Sequence, residues 1–301
     1  MTPQDWIPRC VAMAERRDRL CGLLAPQSTA LQTFRDIAKN EFILSTLVAK
    51  DLKALYRNMA LGFFWALLQP AVMVGVLSFV LVFFLHGDPD SPALVVVAMI
   101  PHNFTAYCLS GCVTSISGNG SLVKKVAFPR QLLPIANIIT HLVHFAIQCT
   151  LIPVVLLLFP SHFGSSITWN LLWLPLIFAV HLGLCVGGGL LVAGANVVYR
   201  DVQYIVDSVL TLMFWLAPVL YDVREQLLPK GATVLPLTWT RVLYFLNPFA
   251  GVLDSYRAVL YRAMPPDPVH LGLAVFGMLV IGYIGVRTFW VHERQFADLI
   301  A

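Results

Sequence analysis

Residues 131–199 have the sequence QLLPIANIITHLVHFAIQCTLIPVVLLLFPSHFGSSITWNLLWLPLIFAVHLGLCVGGGLLVAGANVVY, without a single Asp, Glu, Lys or Arg. A helix that spans a membrane needs about 20 mostly apolar residues, so this stretch is far too long for one span. A polar, turn-rich break, PSHFGSS at residues 160–166, divides it. The stretch therefore predicts two transmembrane helices, about residues 132–159 and 171–198.

Uncharged or nearly uncharged runs on both sides predict four further spans, about residues 61–85, 93–116, 204–221 and 269–287. The runs are continuously apolar, whereas the strands of a membrane β-barrel alternate apolar and polar residues over about ten positions. We therefore predict an all-α membrane protein whose six-helix transmembrane domain occupies residues 59–291.

The composition agrees with a membrane protein. Hydrophobic residues make up 58% of the chain and charged residues 12%, whereas soluble domains carry about 25% charged residues. The formal net charge is only +4, and no long basic stripe is interleaved with aromatic residues. This pattern excludes a nucleic-acid-binding role.

Lys and Arg predict the orientation, because they concentrate in the cytoplasmic loops of membrane proteins. With both termini in the cytoplasm, six spans place fifteen of these residues in cytoplasmic segments and five in the external segment 222–268. Without residues 1–58 the count is six against five, so the orientation depends on the N-terminal region. We predict an inner-membrane protein with both termini, including the tail 292–301, in the cytoplasm.

The segment 37–58 precedes the first span and has two faces. One face carries apolar side chains at helical spacing and another carries basic ones: Leu44, Leu47, Val48, Leu52 and Leu55, against Lys50, Lys53 and Arg57. The pattern predicts an amphipathic helix in the membrane interface, with its basic face toward lipid headgroups or a partner protein. A surface helix of a soluble N-terminal domain is the alternative. The preceding residues 1–36 form an extension to which the sequence assigns no role.

Two connecting segments have distinctive patterns. The predicted cytoplasmic loop 118–131, GNGSLVKKVAFPRQ, has a basic turn that is typical either of a topological anchor or of a specific contact. The external segment 222–268 holds apolar runs too short to span, and between them Asn247 is a good helix N-cap and Pro248 is tolerated at a first helical position. We predict two short helices that re-enter the outer leaflet or lie on it; an extracellular helical loop is the alternative.

The sequence predicts that this chain catalyses no reaction. It contains no Gly-Lys pair, hence no phosphate-binding Walker A loop, so we expect it not to hydrolyse ATP. His141 and His144 have no carboxylate or Cys nearby and form an incomplete metal-ligand set. We expect no catalytic residue, metal or cofactor in this chain. Asp207 is the only acid in a predicted span and is interpreted as reaching the cytoplasmic interface, whereas an ion-coupled transporter would carry ionisable groups near the midplane.

Five stretches carry motifs in a fixed order: DLKALYRNMALGFFWALLQPAVM at 51–73, KKVAFPRQLLPIANI at 124–138, YRDVQYIVDSVLTLMFWLAPVLY at 199–221, NPFAGVLDSYRAVL at 247–260 and ERQFADLIA at 293–301. From about residue 35 to the end, the chain resembles the ABC-2 type permeases that export O-antigen, teichoic acid and capsule chains. The resemblance rests on Tyr-Arg, Trp-Ala and Gln-Pro in the first stretch, then Lys-Lys-x-x-Phe-Pro-Arg, Arg-Asp-x-x-Tyr, Asn-Pro followed by Arg, and Phe-Ala-Asp-x-Ile.

This resemblance implies a homodimer of permeases in the inner membrane, bound to separate ATPase subunits that hold ATP and magnesium. It implies that ATPase coupling involves the interface helix and two cytoplasmic turns, with residues Lys50, Lys53, Arg57, Phe128, Pro129, Arg130, Tyr199, Arg200 and Asp201. It also implies an outer gate in the external segment, for which the candidates are Tyr221, Asn247 and Pro248.

The expected substrate is a long glycan on a polyprenyl-diphosphate or related lipid. Sugars present C–H faces to aromatic rings, so rings in or near the spans are candidates for the translocation path: Trp65, Phe104, Tyr107, Phe214 and Trp215. The alternative for each is contact with lipid. Two other functions remain open from sequence, namely a permease for a drug or other small lipophile, and a membrane assembly subunit without a transport cycle.

Overall fold

The structure is a computed structural model that describes residues 40–57, 64–84, 86, 91–126, 128–158, 169–221, 244–293 and 296. Within these ranges all regular structure is helical, which confirms the predicted all-α class. Three predicted segments lie wholly or mostly outside the described ranges: the extension 1–36, residues 222–243 of the predicted external segment, and most of the tail 292–301.

Ten α-helices are described, and we number them in chain order: α1 Glu41–Tyr56, α2 Trp65–Phe79, α3 Ser91–Ser115, α4 Gly120–Lys125, α5 Leu132–Gln148, α6 Leu151–Leu158, α7 Leu174–Val198, α8 Val202–Leu216, α9 Pro248–Leu260 and α10 Pro268–Glu293. A π-helical turn, Val80–Phe84, extends α2, and 3-10 turns at Ser117–Asn119 and Trp169–Trp173 precede α4 and α7.

Five apolar helical segments are long enough to cross a membrane: Trp65–Phe84, Pro92–Ser115, Leu132–Leu158, Trp169–Val198 and Pro268–Glu293. They correspond in order to five of the six predicted spans. The predicted span 204–221 is shorter in the structure, where α8 ends at Leu216. The reason is Pro218, which disfavours helical backbone in the residue before it, and Ala217 is indeed extended with ψ 155°.

The third span is broken between α5 and α6. Pro153 has no N–H to bond to the carbonyl four residues earlier, at Cys149, and its ring crowds that carbonyl, which favours an interruption of the helix just before it. The chain instead forms tighter bonds, from Thr150 N to Ile147 O at 3.1 Å and from Ile152 N to Cys149 O at 3.2 Å. The predicted span 132–159 is therefore two α-helices joined by a turn at residues 149–150.

Helices α7 and α10 pack side by side through glycine. A Cβ added to Gly285 of α10 would lie 2.0 Å from the carbonyl oxygen of Gly187 in α7, and a Cβ on Gly187 would lie 2.6 Å from the Cα of Gly282. Small residues let membrane helices approach until their backbones touch, which maximises van der Waals contact. Helices α3 and α7 are the most buried of the long helices and form the centre of the bundle, and α10 packs against α7 with most of its other surface exposed.

The hydrogen bonds between the segments that flank the helices fall into two groups. The groups match the two membrane faces of the predicted six-helix topology. In one group, Lys50 of α1 bonds to Asn119 after α3 at 2.6 Å, and the Arg130 backbone before α5 bonds to Glu293 at the end of α10. In the other, Asn170 before α7 bonds to the Ala263 carbonyl before α10 at 2.7 Å. Segments predicted to share a membrane face thus contact one another.

Candidate functional site

Helix α1 has the two faces that its sequence predicts. Leu47 is buried, and Leu44, Val48, Leu52 and Leu55 are partly buried. On the opposite face Lys50, Lys53 and Arg57 are exposed. The apolar face therefore packs on the protein itself, and the basic face is exposed.

Lys50 connects α1 to the end of α3. Its Nζ donates to Asn119 Oδ1 at 2.6 Å and lies 3.2 Å from Asp51 Oδ1. Asn119 in turn donates from Nδ2 to the carbonyl of Ser115, the last residue of α3, at 2.8 Å. A displacement of α1 would therefore move Asn119 and, through it, the end of α3, which is largely buried.

The turn 128–130, for which the resemblance implies a role in ATPase coupling, contacts the end of α10. The Arg130 backbone N–H donates to Glu293 Oε1 at 3.2 Å, and its guanidinium donates to the Glu293 carbonyl. A cation at a helix C-terminus satisfies an unpaired carbonyl and opposes the negative end of the helix dipole. Phe128 and Pro129 are partly buried beside it.

The turn Tyr199–Asp201 joins α7 directly to α8. The Val202 N–H bonds to the Tyr199 carbonyl at 3.1 Å, which keeps the connection tight. All three side chains are exposed, and Asp201 makes no capping bond to α8 although it occupies the N-cap position. Two adjacent charges are thus presented outward where two helices meet.

The aromatic candidates lie in different surroundings. Phe104 is fully buried, with its ring centroid 4.8 Å from Phe145 and 5.2 Å from His181. Tyr107 is partly buried, and Phe214 packs on His102 with centroids 5.3 Å apart. Trp65 and Trp215 are exposed on the bundle surface. The structure therefore leaves Trp65 and Trp215 able to meet a substrate, lipid or a second protein, and places Phe104 in the core.

A polar stripe that sequence reasoning missed runs along α3 and α8. Ser110 Oγ donates to Asp207 Oδ1 at 3.4 Å, and exposed polar side chains continue the stripe at helical spacing: Thr114 on α3, and Gln203, Ser208 and Thr211 on α8. A carboxylate facing hydrocarbon costs about 2.5–3.5 kcal/mol on insertion scales, so intramembrane charges face protein or a water-filled cavity. The helical spacing of the polar residues on α3 could have been found in the sequence. The packing of α3 against α8, which pairs Ser110 with Asp207, could not.

The two histidines of α5 contact polar and aromatic side chains of their neighbours. The Tyr56 hydroxyl lies 3.0 Å from His144 Nδ1, and Gln148 Nε2 lies 3.0 Å from His144 Nε2. Tyr107 stacks on His141 with centroids 5.9 Å apart. Among the described residues no three His, Cys, Asp or Glu side chains group as metal ligands.

The N-terminus of α9 forms as predicted. Asn247 is its N-cap, and its Oδ1 accepts a bond from the Phe249 N–H at 3.2 Å, with Pro248 at the first helical position. The hydroxyls of Tyr221 and Tyr244 lie 2.9 Å apart and within hydrogen-bonding distance of the Leu216 carbonyl. Burial, followed by the bond with Tyr221, raises the pKa of Tyr244, so this phenol stays protonated as a donor.

Two charged side chains of α9, Asp254 and Arg257, are buried, each with its own partners. Asp254 accepts from Arg262 at 3.0 Å and lies 2.7 Å from His270 Nδ1 of α10. Burial raises the pKa of Asp254, but the bond with His270 and the charge of Arg262 outweigh burial and hold that pKa below its ordinary value. Arg257 is completely buried and donates to backbone carbonyls. Sequence reasoning used Arg257 only as a motif position and assigned no role to Asp254 or His270.

An all-helical bundle with long apolar helices, one amphipathic helix and charged turns is the architecture of a multi-pass membrane protein. The sequence matches the ABC-2 type transporter family over residues 43–261, which is more than half of the chain, and the chain belongs to that family.

Relatives of the chain bear names from polysaccharide export. The chain is 29% identical to the O-antigen export system permease protein RfbA of Myxococcus xanthus over 90% of this chain and 100% of that protein. It is 23% identical to a protein of the same name from Klebsiella pneumoniae, over 86% of this chain and 95% of that protein. It is 20% identical to the polysialic acid transport protein KpsM of Escherichia coli, over 83% of this chain and 93% of that protein.

Proposed function

We propose that this chain is the transmembrane permease subunit of an ATP-binding cassette exporter that moves a lipid-linked polysaccharide across the inner membrane. The substrate is of the O-antigen, teichoic acid or capsule type. The observation that carries the proposal is the similarity to an O-antigen export permease along 90% of this chain. The proposal agrees with the architecture, in which apolar helices are joined by basic turns on the predicted cytoplasmic side.

In this proposal the energy comes from a partner. A separate ATPase subunit, which holds ATP and magnesium, docks on the basic face of α1 and on the turns that contain Arg130 and Arg200. Its closure moves α1 against α3 through the Lys50–Asn119 bond, and α10 through the Arg130–Glu293 contact. The exposed charges of the Tyr199–Asp201 turn are suited to push on α7 and α8 together.

The glycan would pass along the polar stripe of α3 and α8. Sugar hydroxyls need hydrogen-bonding partners that hydrocarbon cannot supply, and the Ser110–Asp207 pair with its neighbours supplies them. Trp215, 61% exposed on the same helix, adds an aromatic face for sugar rings. A second copy of the chain, facing the first across α8, would close the path and cover Asp207 from lipid.

A deletion strain tests the proposal. Removal of the gene should leave the lipid-linked polysaccharide inside the cell, and expression of the chain with its ATPase subunit should return the polysaccharide to the cell surface. Normal surface polysaccharide in the deletion strain would contradict the proposal. Sensitivity to a lipophilic drug without a glycan phenotype would favour the small-molecule alternative.

We expect the purified chain alone to have no ATPase activity, because it lacks a Walker A loop. The measurement is phosphate release by the chain in detergent, with and without the partner ATPase. ATP hydrolysis that co-purifies with this chain at every step, in the absence of the partner, would contradict the expectation.

Both termini should be cytoplasmic, because fifteen Lys and Arg residues then lie on the cytoplasmic side against five outside. A reporter active only in the cytoplasm, fused at Ala301, should be active, and a reporter active only in the periplasm should be active when inserted at Lys230. The opposite pair of signals would invert the topology.

A further inference from the structure

Helix α8 is too short to cross a membrane by itself. Its 15 residues rise about 22 Å, whereas the hydrocarbon core is about 30 Å thick. The last carbonyls of a helix have no partner within the helix, and hydrocarbon offers them no water. The end of α8 therefore needs donors from elsewhere in the protein.

Side chains from Tyr221 and from the predicted external segment 222–268 supply donors there. The hydroxyls of Tyr221 and Tyr244 lie 2.9 and 2.7 Å from the Leu216 carbonyl oxygen. Arg257 of α9 reaches the turn that follows, donating to the carbonyl of Val219 at 2.6 Å and to that of Tyr221. A longer contact of 3.5 Å reaches the Leu94 carbonyl at the start of α3.

Arg257 is suited to this role in a way that lysine is not. The guanidinium offers several donors in a rigid plane, so it can bond to two carbonyls of one turn at once, and it stays charged when buried. The side chain has 0% exposure, so water does not compete for its bonds. Separation of α9 from the turn 217–221 would leave both the cation and the carbonyls unpaired in a dry environment, which is strongly unfavourable.

Helix α9 is in turn fixed to α10. A Cβ on Gly251 would lie 2.5 Å from the His270 carbonyl oxygen, so the two backbones touch. Asp254 joins the same helices through His270 at 2.7 Å. The contacts thus form a continuous series from the end of α8 through Arg257 to α9 and α10.

We propose that Arg257 is a positioning residue that makes the outer end of α8 and helix α9 move as one unit, so that displacement of α8 is transmitted to the external segment. This inference rests on the proposed function, in which the ATPase acts on the cytoplasmic end of α8. Arg257 touches no substrate in this account; it acts through α8 and α9.

The test uses R257K and R257Q in the full chain co-purified with its ATPase subunit, with R287K as the matched control. Arg287 is an exposed arginine of α10 whose guanidinium bonds to the Tyr283 hydroxyl at 3.1 Å. The first readout is the amount of glycan exported per ATP hydrolysed. Both Arg257 variants should lower this ratio at least tenfold while hydrolysis continues, and R287K should leave it unchanged. A defect of folding alone lowers export and hydrolysis in proportion, so an unchanged ratio would overturn the inference.

The second readout does not need a glycan. Amide hydrogen exchange of residues 202–221 and 248–260 is measured on the complex with and without ATP. In the unmodified protein the nucleotide should change exchange in both segments together, and in R257K it should change α8 without α9. A change confined to α8 in the unmodified protein, or joint changes that persist in R257K, would overturn the inference. If the unmodified complex exports no glycan, the proposed function fails and this exchange experiment still decides the role of Arg257.

Discussion

Replacement of Gly285 by alanine should destabilise the folded protein by about 1–3 kcal/mol, the usual cost of an extra group in a packed interior. The new Cβ would lie 2.0 Å from the Gly187 carbonyl oxygen and 3.3 Å from the Leu191 nitrogen. Both atoms belong to the α7 backbone, which cannot move aside as a flexible side chain can. Helices α7 and α10 would have to separate.

Gly282 provides the matched control on the same helix. A Cβ at Gly282 meets no atom within 4 Å, so G282A should stay within about 0.5 kcal/mol of the original protein. The measurement is the melting temperature and the folded yield of both variants in detergent. Equal melting temperatures for G285A and G282A would contradict the close packing of α7 and α10.

Replacement of Arg200 and Asp201 by alanine should weaken coupling to the ATPase at least tenfold while leaving the protein in the membrane. Both side chains are exposed at the tight α7–α8 turn, so their loss removes no contact of the folded chain that the structure describes. Truncating one partner of a buried interface pair costs about 2–5 kcal/mol. Because about 1.4 kcal/mol corresponds to tenfold in affinity, ATPase co-purification or glycan export should fall at least tenfold.

R287A is the control, since Arg287 is also exposed and lies in the last third of α10. Its ATPase binding and export should match those of the original protein. Unchanged export in the double variant R200A/D201A would remove this turn from the coupling mechanism, and a parallel loss of membrane level would show that the turn serves folding instead.

The spans could be predicted because hydrocarbon allows only long apolar helices, and five of them follow directly from uncharged runs such as residues 131–199. The end of α8 was predicted at Tyr221 because apolar residues continue past Leu216. The backbone effect of Pro218 outweighs that composition. Pro153 similarly breaks the third span, although composition shows one continuous run.

The site was less predictable because its contacts join distant residues. Asn247 as an N-cap is a local property and was confirmed. The role of Arg257 could not be predicted from sequence, since its partners are the backbone carbonyls of Leu94, Val219 and Tyr221. Every residue has such a carbonyl, so the sequence does not indicate which of them lie near Arg257. The pairing of Ser110 with Asp207 likewise depends on which helices are neighbours.

Reconstitution tests the central claim most directly. The chain and its ATPase subunit are placed together in lipid vesicles with a radiolabelled lipid-linked polysaccharide on the ATPase side. We predict that the glycan becomes protected inside the vesicles only when both proteins and hydrolysable ATP are present. Hydrolysis of ATP by the complete complex without any protected glycan would contradict the assignment of this chain as a polysaccharide export permease.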